Sequence, residues 1–158
     1  MGILSSSRGL RRVILPRKSP EEVVSFLNEL GEAEASCYFI DGSLGDLPRR
    51  LKSYLAGEPM DFPDSLDLAG TTDFQRSVWQ IVRTIPYAKT KNYAWVASQL
   101  GLGKSARSVG QALARNPLPI VVPCHRVIGS DGSLGGFSGG AEMKRYLLSL
   151  EAGGIGRL

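Results

Sequence analysis

The 158-residue sequence predicts an α/β protein in two parts: a small mixed N-terminal unit over residues 1–69, and a mainly α-helical unit over residues 70–158 built round a helix-turn-helix. Three observations predict it. Short strand-like and helix-like segments alternate before residue 60, whereas from Phe74 to Arg115 the apolar spacing is helical throughout. The acid-bearing stretch Met60 to Gly70 looks like a linker between the two. Charge also reverses across it: from Ser19 to Gly70 eleven acidic residues face three basic ones, whereas from Thr71 to Arg126 one acid, Asp73, faces eight bases, a net of +7.

The elements follow in order. Arg11–Leu15 is a strand, and Ser19-Pro20-Glu21-Glu22 is a capping box with proline at the first helical position, opening a helix to about Leu30. A second strand is expected at Cys37–Ile40, and then a helix from Leu47 to Ala56 on Leu47, Leu51, Tyr54 and Leu55, stopped by Gly57 and Pro59. Beyond the linker, Phe74, Val78, Ile81 and Val82 share one helical face that ends before Ile85-Pro86-Tyr87. Asn92 caps a helix from Tyr93 to Leu100, Gly101-Leu102-Gly103 turns the chain, and Ser105 caps a helix from Ala106 to about Arg115. That is a helix-turn-helix pattern. Its second helix carries Ala106, Gly110 and Ala114 at spacing four, a flat strip that lets something approach the backbone. The apolar run Ile120 to Ile128 reads as a buried strand ending in Pro123-Cys124-His125-Arg126. Asp131-Gly132 is a hairpin turn signal, Gly135-Gly136-Phe137-Ser138-Gly139-Gly140 a flexible loop or pocket wall, and a last helix runs from about Ala141 to Glu151 with Met143, Tyr146, Leu147 and Leu150 inward.

The chemistry concentrates at Cys124. His125 is the only histidine of the chain, so any imidazole that activates a thiol is this one. A thiol at its ordinary pKa is only a few per cent thiolate at neutral pH, and a nearby imidazole or cation raises that fraction, which His125 and Arg126 are placed to do. In extended backbone, neighbouring side chains point to opposite faces, so His125 must reach the sulfur through a bridging water or a turn. The remaining composition narrows the class. Two cysteines supply no disulfide framework, and one histidine with two distant cysteines cannot assemble a zinc site, so no metal is expected. Gly103-Lys104-Ser105 lacks the strand and first glycine of a phosphate loop, and no cofactor is expected. No apolar stretch approaches transmembrane length, no signal-peptide pattern opens the chain, and a reducing cytoplasmic setting is the default. The basic half suits a polyanion, since neutralising phosphates supplies most sequence-independent nucleic-acid affinity.

Pro123-Cys124-His125-Arg126-Val127, with Arg107-Ser108-Val109-Gly110, Asn116-Pro117, the glycine-rich loop, Phe74-Gln75, Ile85-Pro86-Tyr87 and Tyr93 before Val96-Ala97, resembles the O6-alkylguanine-DNA alkyltransferase family from about Gly70 to Glu151. The resemblance implies a truncated, RNase H-like N-terminal domain and a winged-helix-like C-terminal domain. It implies an acceptor role for Cys124, which would take the alkyl group of a flipped O6-alkylguanine once and keep it as a thioether. His125 would be the base through a water, oriented by Glu151; Tyr93 would protonate the departing guanine, and Asn116 would brace the hinge between recognition helix and active-site strand. Arg107 would fill the stack in place of the extruded nucleotide. Ala106, Ser108, Gly110, Gln111, Tyr93, Lys104, Arg115 and Arg126 would meet DNA in the minor groove, with Val127, Phe137, Ser138 and Pro119 lining the base pocket. The partner implied is double-stranded DNA carrying O6-alkylguanine, with O4-alkylthymine as a second lesion, bound by a monomer with low sequence specificity and strong salt dependence. Two departures stand out: Phe137 replaces a tyrosine common in the family, and the N-terminal part is short and is expected to lack the first strand or so of the family's small domain. A cysteine hydrolase would want the same Cys-His pair but leaves the helix-turn-helix, the charge reversal and Glu151 unexplained.

Overall fold

The computed structural model describes residues 1–31, 44–103 and 105–154, so the strand expected at 37–40 and Lys104 lie outside the described residues. The chain begins with a hairpin: Gly2–Ser6 (β1) pairs antiparallel with Gly9–Ile14 (β2). The first of these strands was absent from the sequence reading. Its residues lack two-sided alternation and are half-buried or exposed, because β1 is held at the edge by ladder bonds to β2 rather than by burial of its own side chains. On the other side of β2, Leu10 N–H donates to Ser65 O at 2.8 Å and Asp67 N–H donates to Leu10 O at 2.8 Å, so the supposed linker runs along the strand. Gly9 permits this: its φ is +136°, and a Cβ there would sit 2.3 Å from the Ser65 carbonyl oxygen.

Helix α1 (Pro20–Glu29) starts at Ser19, whose hydroxyl accepts from Glu22 N–H at 3.4 Å. Only half of the expected capping box forms, since the Glu22 carboxylate accepts from Lys18 N–H at 3.3 Å. Helix α2 (Leu47–Leu55) buries Leu47, Leu51 and Tyr54. Helix α3 (Asp73–Arg83) opens on a reciprocal Thr72–Gln75 capping box and buries Val78, Trp79 and Val82. A two-residue strand, Lys91–Asn92 (β3), leads into α4 (Tyr93–Gln99), where Asn92 Oδ1 accepts from Trp95 N–H at 2.8 Å. Helix α5 (Ala106–Ala114) packs across α3, and the Trp79 indole N–H donates to Ala112 O at 3.1 Å. Ser105 makes no side-chain cap, because its backbone (φ −105°, ψ 23°) is outside the extended region from which a cap hydroxyl reaches back.

The stretch expected as a buried strand is the main correction. Pro123 removes a backbone donor inside the segment, Pro117 and Pro119 remove two just before it, and Ile120 adopts a left-handed φ of +75°, so the chain does not run extended here. The chain curls instead: Val122 N–H donates to Leu118 O at 2.8 Å and Cys124 N–H to Val122 O at 2.7 Å. Cys124–Arg126 is a single 3₁₀ turn, and only Val127–Ile128 (β4) is extended, paired parallel with β3. The Asp131-Gly132 turn closes, with Gly129 N–H donating to Ser133 O at 2.7 Å, but no strand pair flanks it. Helix α6 (Gly140–Glu151) ends the described fold.

Most of the buried apolar residues of both halves form one cluster, in which Leu10, Val13, Leu51 and Tyr54 pack with Trp79, Val109, Val122 and Leu147, while Ile14, Val23 and Leu27 form a small second one under α1. The core therefore crosses residue 69, and α2 lies against the same interior as the thiol. Among the described residues no helix is long and apolar enough to cross a membrane.

Candidate active site

Asn116 organises the curl from within. It is 4% exposed, its Oδ1 accepts from Leu118 N–H at 2.9 Å, and its Nδ2 donates to Val122 O at 2.9 Å and to the Cys124 sulfur at 3.1 Å. One amide thus replaces the ladder bonds that the prolines forbid and fixes the thiol at the C-terminal side of α5. A donor on sulfur favours the thiolate.

The 3₁₀ turn sends the two neighbouring side chains apart, and His125 faces α6 and α2. Its Nε2 lies 2.8 Å from Glu151 Oε1 and 3.1 Å from the Tyr54 hydroxyl, while its other nitrogen, Nδ1, is buried with no hydrogen-bond partner. An ionised carboxylate only accepts, so Nε2 carries the proton in the neutral ring and Nδ1 presents a lone pair. Glu151 is held on several sides. Tyr54 O–H donates to Oε1 at 2.6 Å, Ala88 N–H donates to Oε2 at 2.9 Å, and Arg126 places Nε at 3.0 Å from Oε2 and Nη2 at 2.8 Å from Oε1. Ala88 makes its contact from a left-handed backbone, φ +57°, which costs a non-glycine residue conformational energy.

Arg126, expected among the cations facing DNA, is therefore turned inward. It is 8% exposed, and its remaining Nη1 donates to Ile85 O at 2.6 Å. A guanidinium beside a buried carboxylate is satisfied there and has nothing left for a phosphate.

The electrostatics of the thiol also differ from the sequence expectation. Burial pushes the Cys124 thiol up to about 11, against the Asn116 hydrogen bond and the charge of Lys144, which pull it down. The charge of Arg126 is matched by Glu151 instead of standing free beside the sulfur. The resting group is a thiol, and the proton must leave at the moment of reaction. Burial lowers the pKa of His125, outweighing the pull of Glu151, so the ring is neutral and basic at pH 7. Burial pushes the Glu151 carboxyl upward, but hydrogen bonds from His125 and Arg126 outweigh it and hold it down at about 2. The Tyr54 hydroxyl is raised, by burial first and then by the Glu151 charge, so it remains a donor.

Tyr93 packs between α5 and the glycine-rich loop, close enough to Cys124 to feel its charge. The Tyr93 hydroxyl is so close to Gly135 that a Cβ there would meet it at 2.4 Å, and its ring edge lies 3.7 Å from where a Cβ of Gly110 would stand. Burial and then the Cys124 charge raise the Tyr93 pKa. Phe137 is half-buried and stands edge-on to the His125 ring, 6.4 Å between centroids at 86°. Val127 and Pro119 are buried, whereas Ser138 is exposed. Along α5, Arg107, Ser108, Gln111 and Arg115 are exposed, and Ala106 and Gly110 half-buried.

Three contributors escaped the sequence reading. Lys144 is fully buried, donates from Nζ to Val127 O at 2.6 Å and to Leu134 O, and so ties β4 to the start of the glycine loop. A lysine in line with Leu147 and Glu151 on the inner face of α6 was a legible signal. Tyr54 read as an ordinary core residue, and nothing in the sequence singles out the Ala88 amide.

A family model described as 6-O-methylguanine DNA methyltransferase, DNA binding domain, matches residues 73–153. The methylated-DNA--protein-cysteine methyltransferase of Mycobacterium leprae is 48% identical over 111 residues, which cover 70% of this chain and 67% of that protein. That of Methanosarcina acetivorans is 47% identical over 103 residues, covering 65% of each chain. Among solved structures, Mycobacterium tuberculosis OGT in complex with DNA superposes with a TM-score of 0.75 at 37% identity, covering 96% of this chain and 85% of that one. The O6-methylguanine-DNA methyltransferase of Pyrococcus kodakaraensis gives 0.69 at 33% identity, covering 94% and 89%.

Proposed function

The chain belongs to the 6-O-methylguanine DNA methyltransferase family, and from that premise we propose that it repairs DNA by moving the alkyl group of O6-alkylguanine onto Cys124 in one irreversible step. The observation that carries the reading is the set Asn116, Cys124, His125 and Glu151: a buried thiol with a donor on its sulfur, beside a neutral imidazole whose basic nitrogen is free. The sulfur attacks the alkyl carbon as the carbon–O6 bond breaks. The thiol proton passes through a water to His125 Nδ1, and Glu151 stabilises the imidazolium that forms. Tyr93 O–H supplies a proton to N3 of the departing guanine, which leaves neutral. A thioether has no good leaving group, so the protein acts once.

The buried position of the sulfur requires the damaged nucleotide to leave the duplex. Flipping costs a few kcal/mol and least for a poorly paired base, which O6-alkylguanine is. Arg107, exposed on α5, would fill the gap, and the half-buried strip of Ala106 and Gly110 suits close approach in the minor groove, flanked by Ser108, Gln111 and Arg115. Val127, Phe137, Ser138 and Pro119 would wall the pocket. In this reading residues 1–69 form a small RNase H-like domain and residues 70–158 a winged-helix-like acceptor domain acting as a monomer, with O4-alkylthymine as a second substrate. Incubation with an oligonucleotide containing O6-methylguanine should add one methylene equivalent to the intact mass, on Cys124, and Cys124→Ala should add none. Repeated turnover, or an unmodified protein bound to the lesion, overturns the reading.

A further inference from the structure

The relay that serves the thiol is completed from outside the acceptor region. Tyr54 lies on α2, in the N-terminal part of the chain, is fully buried, and projects its hydroxyl between His125 and Glu151. A phenol has one proton. The Glu151 carboxylate cannot donate, so the 2.6 Å contact takes that proton, and towards His125 Nε2, 3.1 Å away, the same oxygen can only accept. The Nε2 proton is therefore shared between two acceptors, Glu151 Oε1 at 2.8 Å and Tyr54 Oη, and the alternative tautomer would leave Nε2 without a proton for either.

We propose that Tyr54 is a positioning residue for alkyl transfer: its hydroxyl locks Glu151 and holds His125 in the tautomer whose Nδ1 can take the thiol proton. This rests on the reading of His125 as the base. It also gives the N-terminal unit a part in the chemistry, since moving α2 away from α6 would release the tautomer lock. Ring packing alone does not explain the contact. Tyr54 also packs edge-on against Phe62 and Tyr87, with centroids 5.9 and 6.1 Å away, contacts a phenylalanine would keep.

The test is Tyr54→Phe in the full chain, beside Tyr146→Phe, which removes another hydroxyl between α6 and α2, donated to Leu55 O at 3.4 Å and outside the relay. Because His125 is the only histidine, the ¹⁵N spectrum of its ring reports one residue. Tyr54→Phe should lower the single-turnover rate on O6-methylguanine DNA about tenfold, the loss of one hydrogen bond to a charged group. It should leave affinity for undamaged duplex unchanged and convert the His125 signal from one Nε2–H form to a mixture of tautomers. Tyr146→Phe should do neither. A Tyr54→Phe protein with wild-type rate and a wild-type His125 spectrum overturns the proposal while leaving the base assignment intact. If His125→Gln reacts at the wild-type rate, the base assignment itself falls and this proposal with it.

Discussion

The outer face of α5 and the thiol turn that follows it are ten residues apart at their nearest and obey opposite rules. On α5, Arg107, Ser108 and Gln111, with Arg115 at its C-cap, are exposed, and the charges of the two arginines act through water. Past Asn116, Cys124 is 3% exposed and His125 not at all, and each polar atom of Glu151 and Arg126 is matched to a named partner. The difference separates recognition from reaction. Exposed charges supply affinity that depends on salt and not on sequence, whereas a dry thiol with a raised pKa is inert to most electrophiles and reacts only with one delivered beside its base.

The comparison can be broken most severely at Glu151. Glu151→Gln leaves the Arg126 guanidinium buried against a neutral amide and should cost about 3–5 kcal/mol in denaturant unfolding, as loss of one partner of a buried ion pair does. Its transfer rate should fall about 100-fold. Wild-type stability would mean the network is slack and the two regions are not as different as their burial indicates.

Arg107→Ala tests the exposed side. Transfer from a duplex lesion should fall about 10- to 100-fold, the range expected when a flipping cost of a few kcal/mol is no longer offset. Stability should stay within about 0.5 kcal/mol, as for surface changes generally. Transfer from the free base O6-benzylguanine, which needs no flipping, should be unchanged; if it drops equally, Arg107 reaches the thiol site.

Of these two regions, acid should act on the buried one, because α5 carries no acidic residue. With the His125 pKa below its usual 6.5, the base is neutral at pH 7, and transfer should be flat there and decline only as pH falls below about 6.5. Glu151, folded near 2 and ordinarily near 4.5, contributes stability that is fully present above about 4.5 and is lost as pH falls towards 2. Thermal unfolding from pH 7 to pH 3 should show that decline, and Glu151→Gln should flatten it.

The smallest effect lies away from both regions. Asp67 accepts from Ser6 O–H at 2.7 Å and Ala69 N–H at 3.1 Å, holding the 65–69 segment to the hairpin. Asp67→Asn should cost about 1 kcal/mol in unfolding, with the transfer rate unaltered.

How much of this was legible from the sequence varied with the physics involved. Helices α1 to α6 were, to within a residue or two, because 3.6-residue apolar spacing and caps such as Ser19 and Asn92 act locally. Cys124 and His125 are legible in the residues themselves, as a thiol beside the one histidine, whereas the parts of Asn116 and Glu151 are legible only through the resemblance to the alkyltransferase family. Strand β1 was not, since an edge strand is defined by its partner. The buried strand expected to end at Pro123-Cys124-His125-Arg126 does not form, because proline and a left-handed Ile120 outweigh apolar character, and Arg126 does not face DNA because Glu151, distant in sequence, matches its charge inside.

By itself the sequence determined the thiol, its one imidazole, the basic half and the helix-turn-helix, all properties carried by neighbours within a few turns of chain. Tertiary structure decided which charges are spent inside, which nitrogen of His125 keeps its proton, and that Tyr54 from α2 stands 71 residues from the imidazole it touches. Those depend on long-range contacts and on burial, and burial sets the strength of every charge in the site.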